Sequence, residues 1–319
     1  MKLAILGVGL IGGSIGLAAK EHLGDVTVTG FGRSPERLER ARELGAVDRV
    51  AGSPQEALEG AQACFCCAPV GGLPDQVAAA LAAAPADCVI TDVGSVKQPV
   101  VAAMAAAGLA RRYVPGHPMA GTHQAGFRAA TAELFTDARW VLCPPEAGGL
   151  ERWLDVAALA ISLGANIFPL SAGEHDRAMG LISGLPHLLA LGLEAAVAHG
   201  PGYLPALTAG SFADLTRVAG SAPHLLRAVT ESNKESVRVA LHQLLDQLGG
   251  SWDALIDEGH RAHLSRAAAV GAGFPDATKP DTVAVPGAAE LLAMGRSGRY
   301  VISLDIDRRT MTLSAAAES

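Results

Sequence analysis

Residues 2–14 read Lys2-Leu3-Ala4-Ile5-Leu6-Gly7-Val8-Gly9-Leu10-Ile11-Gly12-Gly13-Ser14. An apolar run of strand length leads into the spacing Gly-x-Gly-x-x-Gly, and a helical pattern continues to about Glu21. In such a turn the first glycine permits a tight bend, the second lets backbone approach a pyrophosphate, and the third lets the helix pack on the strand. Free N–H groups at the helix N-terminus favour an anion. The stretch predicts a dinucleotide site, with the following contacts: Gly7, Gly9, Leu10, Ile11 and Gly12.

The same stretch also resembles a targeting or membrane-spanning segment, because Lys2 precedes an apolar run that reaches Ala19. Five glycines fall in that run. They would weaken an isolated helix, but a phosphate-binding turn needs them. We expect no later apolar run to span a bilayer, and we expect the protein to be cytoplasmic.

Composition narrows the class of protein. A chain of 319 residues suits two domains with a core in each. The formal net charge of −7 argues against a nucleic-acid surface. The five cysteines are odd in number and lack Cys-x-x-Cys spacing, so we expect reduced core residues rather than disulfides or zinc ligands, and no metal site.

Strand and helix signals alternate through the first half of the chain. Strands are predicted at 26–31, 63–68 and 88–92, with further strands at 113–115, 139–143 and 166–170. Helices are predicted between them, one of them capped by Ser34. Alternation of this kind indicates an α/β fold. We predict a Rossmann-like, doubly wound parallel sheet over residues 1–170.

The pattern changes after residue 170. From Glu174 to about Ala272 only Ala- and Leu-rich segments with helical spacing occur, which predicts an all-helical domain at 171–274. Its apolar helices favour a homodimer formed through this domain. Residues 275–319 are predicted as a linker, at about 274–287, and a β-hairpin-like tail that alternates from Arg299 to Ser314.

The end of the second strand bears on the choice of nicotinamide cofactor. NAD sites commonly place a carboxylate about twenty residues after the glycine motif. Here the chain reads Gly30-Phe31-Gly32-Arg33-Ser34, where Arg33 and Ser34 can pair with a 2′-phosphate. This favours NADP over NAD. The alternative is that Arg33 is a solvated surface charge, Ser34 is only a helix cap, and either cofactor is accepted.

Polar residues that follow predicted strands are candidates for catalysis. Ser95 lies in Asp92-Val93-Gly94-Ser95-Val96-Lys97, after the strand at 88–92, and can either bond a substrate or cap the next helix. His117 lies in a turn-rich segment after another strand. A neutral imidazole there can accept a hydroxyl proton near neutral pH. The alternative is a histidine whose bonds go to backbone within the loop.

The helical region offers candidates for substrate binding. Ser183 and His187 are four residues apart and share one helix face, and Pro186 is expected to kink or restart the helix beside them. Arg217 carries a planar fork that suits a carboxylate. A buried, hydrogen-bonded His187 and an ion pair of Arg217 with Asp214 are the alternatives.

Four motifs in this order resemble the prephenate and arogenate dehydrogenase family of tyrosine biosynthesis. They are Gly94-Ser95-Val96-Lys97, His117-Pro118-Met119-Ala120-Gly121-Thr122, Leu185-Pro186-His187 and Thr216-Arg217-Val218-Ala219. The resemblance covers about residues 1–275 and implies an oxidative decarboxylation with NAD or NADP. It implies His117 and Ser95 at the ring hydroxyl, with the following residues at the rest of the substrate: His187, Arg217, Ser183 and Thr122.

The chain departs from the family's pattern, and two other interpretations remain open. Gly184 stands where relatives commonly have a histidine, and the tail does not resemble the regulatory ACT domain of some relatives. One alternative is another hydroxyacid dehydrogenase of the same architecture, which would need a catalytic lysine such as Lys234. The other is a nicotinamide-binding regulator without turnover, which need not bring the following side chains together: Ser95, His117, His187 and Arg217.

Overall fold

A computed structural model describes residues 1–121, 126–145, 148–221, 226–227, 230–249, 257, 259, 261, 265 and 280–314. The chain divides into two units. One contains Met1–His175 and Lys279–Ala315, and the other contains Asp176–Thr278. The chain therefore leaves the first unit, forms the second, and returns to the first.

The first unit is built on a parallel sheet of six strands in the order β3-β2-β1-β4-β5-β6. This is the strand order of a dinucleotide-binding fold, and the order reverses beside β1. The predicted Rossmann-like, doubly wound sheet is confirmed. The strands are β1 (Lys2–Leu6), β2 (Thr27–Phe31), β3 (Arg49–Val50), β4 (Ala63–Cys66), β5 (Val89–Asp92) and β6 (Tyr113–Val114).

Helices connect these strands, and the sheet is buried on both faces. Leu3 and Ile5 of β1 belong to one hydrophobic cluster, whereas Ala4 and Leu6 belong to another. Alternate residues of a strand point to opposite faces, so each cluster lies on one side of the sheet. The helices of this part are α1 (Leu10–His22), α2 (Pro35–Glu43), α3 (Pro54–Ala57), α4 (Leu73–Ala83) and α5 (Gln98–Ala106).

A second six-stranded sheet completes the first unit, in the order β10-β12-β11-β9-β8-β7. The strands predicted at 139–143 and 166–170 belong to this mixed sheet rather than to the parallel one. Its members are β7 (Gly116–Pro118), β8 (Arg139–Leu142), β9 (Asn166–Pro169), β10 (Asp281–Ala284), β11 (Val301–Asp305) and β12 (Thr310–Leu313), with α6 (Leu150–Ser162) between β8 and β9.

The C-terminal hairpin of β11 and β12 joins this sheet through a pairing of Val301 with Ile167. Part of the predicted linker is strand β10, which pairs antiparallel with β12, and a helix, α12 (Ala288–Arg296), precedes the hairpin. Val301, Met311 and Leu313 are buried in the same cluster as Leu3 and Ile5. The tail therefore shares the hydrophobic core of the first unit.

The second unit is helical over its described residues. Its helices are the end of α7 (Ala172–Met179), then α8 (Leu185–Ala198), α9 (Leu204–Leu207), α10 (Gly210–Thr216) and α11 (Lys234–Gln247). A π-helical turn, Gly180–Gly184, joins α7 to α8. Contrary to the expectation from the sequence, the stretch Ala172–Ala198 is long and apolar enough to cross a membrane, by length and composition only.

Candidate active site

The glycine turn after β1 has the geometry that a pyrophosphate requires. Gly7 has a φ of 110°, and a side chain there would lie 2.8 Å from the Cys67 carbonyl oxygen. A Cβ on Gly12 would collide with the Gly7 carbonyl oxygen, whereas one on Gly9 would meet nothing within 4 Å. The space beside Gly9 is therefore open to a ligand.

The N-terminus of α1 is suited to the ligand's charge. Gly9 is its N-cap and supplies no side-chain bond, and no acidic residue lies in the first turn. The first amides of a helix have no carbonyl one turn earlier to bond, and they attract an anion. These residues fit the diphosphate of a nicotinamide dinucleotide.

Substitution of the two glycines separates folding from cofactor binding. We expect Gly12→Ala to lower the free energy of unfolding by about 1–3 kcal/mol, because backbone must shift to admit the methyl group. Gly9→Ala is expected to change it by less than about 0.5 kcal/mol but to weaken cofactor binding at least about tenfold. Urea denaturation and a cofactor titration measure the two effects. Equal cofactor affinity in Gly9→Ala and the parent would contradict the placement of the phosphates.

Arg33 and Ser34 follow β2 next to the glycine turn. The Phe31 carbonyl at the end of β2 accepts a bond from the Gly7 amide at 2.7 Å, which ties the two segments together. Ser34 caps α2 through a 3.4 Å bond from the Arg37 amide to its hydroxyl oxygen. Arg33 is exposed, and within the described ranges no carboxylate pairs with it. The Ser34 helix cap and the exposed Arg33 guanidinium are therefore neighbours in the chain.

A buried carboxylate ties the two predicted catalytic loops together. Asp92, at the end of β5, accepts bonds from the Gly94 amide at 3.0 Å, the Gly116 amide at 3.0 Å and the Tyr113 hydroxyl at 2.5 Å. It also forms a fully buried ion pair with Lys97, whose ammonium donates to the Gly116 carbonyl at 2.6 Å. The Asp92 carboxylate therefore holds both the loop that contains Ser95 and the strand that contains His117.

The structure changes the interpretation of Ser95. Ser95 is partly buried and is not the cap of the following helix, since Lys97 occupies the N-cap position of α5. Burial and the Asp92 carboxylate raise the pKa of Tyr113 well above its usual range, so its hydroxyl stays protonated and donates to Asp92. The Asp92–Lys97 pair is not among the sequence predictions. A carboxylate and an ammonium on either side of a glycine loop that follows a buried strand could have indicated it.

His117 lies in β7 and contacts a second histidine. Its Nδ1 is 2.8 Å from Nε2 of His175, which is fully buried in α7. The two rings meet edge to face, with centroids 5.0 Å apart. Burial, followed by the neighbouring His175 and Lys97, holds the pKa of His117 well below its usual range. His117 is therefore neutral near pH 7 and can act as a base.

The predicted substrate residues Ser183 and His187 lie at the π-helical turn of the second unit. The His187 Nδ1 is 2.8 Å from the Ser183 carbonyl oxygen, and its Nε2 is 3.5 Å from the Ser221 hydroxyl. Pro186 stands in the first turn of α8 and cannot donate a backbone bond. π-Helical turns are frequent at functional sites.

Arg217 follows α10 and is exposed. Of the described residues, Asp214 forms no ion pair with it, so the predicted alternative of an Asp214 pair does not hold. Thr122 lies outside the described residues. Ser95 and His117 thus belong to the first unit, and Ser183, His187 and Arg217 belong to the second.

Two domains of a known protein family match consecutive parts of the chain. The prephenate dehydrogenase nucleotide-binding domain matches residues 15–168, and the prephenate dehydrogenase dimerization domain matches residues 171–266. Together the two domains cover most of the chain, and residues 280–314 of the second sheet lie beyond them.

Individual relatives agree with these matches. The chain is 34% identical over 253 residues to a cyclohexadienyl dehydrogenase of Zymomonas mobilis, covering 77% of this chain and 85% of that protein. It is 34% identical to the prephenate dehydrogenase of Bacillus subtilis, over 74% of this chain and 66% of that one.

Solved structures show the same likeness. The prephenate dehydrogenase of A. aeolicus, in complex with hydroxyphenyl propionate and NAD+, is 25% identical with a TM-score of 0.77, over 85% of this chain and 96% of that one. The Synechocystis arogenate dehydrogenase is 26% identical with a TM-score of 0.73, over 85% and 99%. The resemblance found in the sequence motifs is confirmed, and the chain belongs to the prephenate dehydrogenase family.

Proposed function

We propose that this chain catalyses the NAD(P)-dependent oxidative decarboxylation of prephenate to 4-hydroxyphenylpyruvate, or of arogenate to tyrosine, with His117 as the base. As a member of the family it is an oxidoreductase of tyrosine biosynthesis that uses a nicotinamide dinucleotide. The observation that supports the role of His117 most strongly is its ring, which is neutral and bonded through Nδ1 to His175. Its Nε2 is then the nitrogen available to a substrate.

The chemistry assigned to these residues is a proton transfer. The ring hydroxyl of the substrate gives its proton to Nε2 of His117 while the C–H bond at the same carbon breaks. A nicotinamide dinucleotide held at the glycine turn and the N-terminus of α1 would supply the acceptor for that hydride. The bond to the ring carboxylate then breaks, its electron pair enters the ring, carbon dioxide leaves, and His117 returns the proton to the oxygen. Ser95 is proposed to bond the same hydroxyl region.

The second unit is proposed to bind the rest of the substrate. Arg217 offers a guanidinium that can form two parallel bonds to a carboxylate. Ser183 lies in the π-helical turn and His187 in the first turn of α8, and both are proposed to contact the substrate's side chain. Thr122 remains part of this proposal on the strength of the motif alone.

For the cofactor we infer a preference for NADP, supported by Arg33 next to the glycine turn. We expect Arg33→Gln to raise KM for NADP+ about tenfold or more, because a charge-assisted bond to the 2′-phosphate contributes about 1.5–3 kcal/mol. KM for NAD+ should change less than about twofold. Arg40→Gln is the matched control, since Arg40 pairs with Glu43 on the exposed face of α2. Equal changes for both cofactors would contradict the preference.

We also infer a homodimer formed through the helical unit. Leu181, Ile182, Leu188, Leu189 and Leu193 are exposed along the π-helical turn and α8, and Ile182 is 60% exposed. Several exposed apolar side chains along one helical stretch favour an interface, and a dimerization domain matches this part of the chain. A second copy would cover these apolar side chains, which also give the stretch Ala172–Ala198 the composition of a membrane-spanning helix. A monodisperse monomer by light scattering would contradict the dimer.

The function is tested by reduced-nicotinamide formation in four mixtures, prephenate or arogenate with NAD+ or NADP+. We expect turnover with at least one substrate and higher kcat/KM with NADP+. Absence of turnover in all four mixtures would favour a nicotinamide-binding regulator. Turnover of β-hydroxy acids instead, lost in Lys234→Met, would favour the other dehydrogenase class. We propose the cytoplasm as the site of this reaction.

A further inference from the structure

We infer that His175 is a positioning residue that fixes the tautomer of His117 and leaves its Nε2 unprotonated to accept the substrate's proton. The inference rests on the proposed function, because it concerns the same proton transfer. His175 belongs to a different element, α7, and lies 58 positions further along the chain. Neither histidine could have been assigned this partner from local sequence.

The distance between the two ring nitrogens is that of a hydrogen bond, so the two nitrogens share a single proton. With Nδ1 of His117 and Nε2 of His175 2.8 Å apart, one nitrogen must donate and the other must accept. If His175 donates, neutral His117 holds its own proton on Nε2 and cannot act as a base. If His175 accepts, the proton lies on Nδ1 of His117 and Nε2 has a free lone pair. The catalytic form is therefore the second one.

The same bond stabilises the charge that forms during the reaction. When His117 takes the substrate's proton it becomes an imidazolium, and its Nδ1–H bond to His175 becomes charge-assisted and stronger. The buried Lys97 ammonium opposes that charge, and Asp92 already pairs with Lys97. His175 thus contributes more to the charged state than to the neutral one, which is the condition for accelerating a step.

His175 is held in place by its helix. Its backbone amide bonds the Ser171 carbonyl at 2.9 Å. The neighbouring Glu174 carboxylate accepts from the Ser171 amide at 3.1 Å and from Arg296 of α12 at 2.5 Å. The first turn of α7 is therefore bonded to α12. The His175 ring has none of its surface exposed, so it has little freedom to rotate away from His117.

Nitrogen-15 spectroscopy of labelled histidines tests the inference without substrate. Long-range proton–nitrogen correlation distinguishes the two neutral tautomers, and we expect His117 to carry its proton on Nδ1 near pH 7. His175→Phe keeps the ring volume and removes the acceptor, so the tautomer should shift toward Nε2–H. His175→Gln offers an amide oxygen near the same position and should restore Nδ1–H. His117→Asn assigns the signals.

Kinetics provide the second measurement. We expect His175→Phe to lower kcat about 100-fold, within the range of acid–base effects, with KM changed less than about threefold, and His175→Gln to recover most of the loss. His199→Phe is the matched control, because His199 is exposed and bonds only a carbonyl of its own helix among the described residues. Circular dichroism checks the fold, and if His175→Phe does not fold, an Nε2–H tautomer in the parent spectrum alone would still overturn the inference.

The outcomes separate this inference from the proposed function. An Nε2–H tautomer in the parent protein, or an active enzyme whose kcat is unaffected by His175→Phe, would overturn the role of His175 and leave the dehydrogenase intact. An Nδ1–H tautomer that depends on residue 175, in a protein that turns over none of the four mixtures, would support the positioning and refute the proposed function.

Discussion

His117→Asn is expected to lower kcat by about 10²–10⁴-fold, the usual contribution of a positioned acid or base. The asparagine amide can still reach His175 from the Nδ1 position, but nothing replaces Nε2. KM and the affinity for the cofactor should therefore change little. Steady-state kinetics with the preferred substrate, together with a cofactor titration, measure both quantities.

The pH dependence sharpens this expectation. The pKa of His117 is lowered, chiefly by burial, so the ring is neutral throughout the range above the ordinary histidine value of about 6.5. Activity should stay level as pH falls through 6.5 and decline only at the lower, shifted pKa, when the base becomes protonated. That acid limb should be absent in His117→Asn. A decline in the parent centred at or above about pH 6.5, or a limb that persists in the variant, would show that another group is the base.

Lys97→Met is expected to lower the free energy of unfolding by about 3–5 kcal/mol. The substitution removes one partner of a fully buried ion pair and leaves the Asp92 carboxylate buried with one cation fewer, a change that typically costs this much. The Gly116 carbonyl also loses its donor, so the strand that carries His117 is loosened. Urea denaturation measures the stability.

Two further variants identify the cause. Asp92→Asn combined with Lys97→Met removes both charges. Its amide oxygen can keep the bonds that Gly116 and Tyr113 donate to Oδ1, although the Gly94 bond to Oδ2 is lost, so the double variant should be less destabilised than Lys97→Met alone. Lys20→Met breaks a pair with Asp48 in which both side chains are 35% exposed, and it should cost less than about 1 kcal/mol. If Lys97→Met were no worse than Lys20→Met, the buried pair would not organise the loop.

Local pattern was sufficient for the parallel sheet and insufficient for the second one. The turn after β1 could be predicted because its glycines have specific steric tasks. The membership of β8 and β9 could not, because periodicity identifies a strand but not its partner, and β7 and β11 pair antiparallel with them. Strand β10 lies within the predicted linker, and the sequence carries no strand signal there because most residues of β10 are exposed and show no apolar alternation.

The residues of the candidate site could likewise be predicted only in part from the sequence. His117, Ser95 and Arg217 could be singled out because polar residues after strands and short motifs point to chemistry. The partner of His117 and the bonds of Asp92 depend on pairs far apart in sequence, and only the folded backbone brings them together. The sequence allows Ser95 as a helix cap, but the N-cap of α5 is Lys97, two residues later.

The return of the chain to its first unit affects the order of events on the ribosome. Strands β11 and β12 supply buried residues to a sheet in which β7, β8 and β9 are synthesised before the entire helical segment and β10 after it. At about 5–20 residues per second, the earlier strands wait roughly 10–30 s for their last neighbours. During that interval the edge of β9 is uncovered, so the nascent chain should depend on chaperones until β11 and β12 emerge.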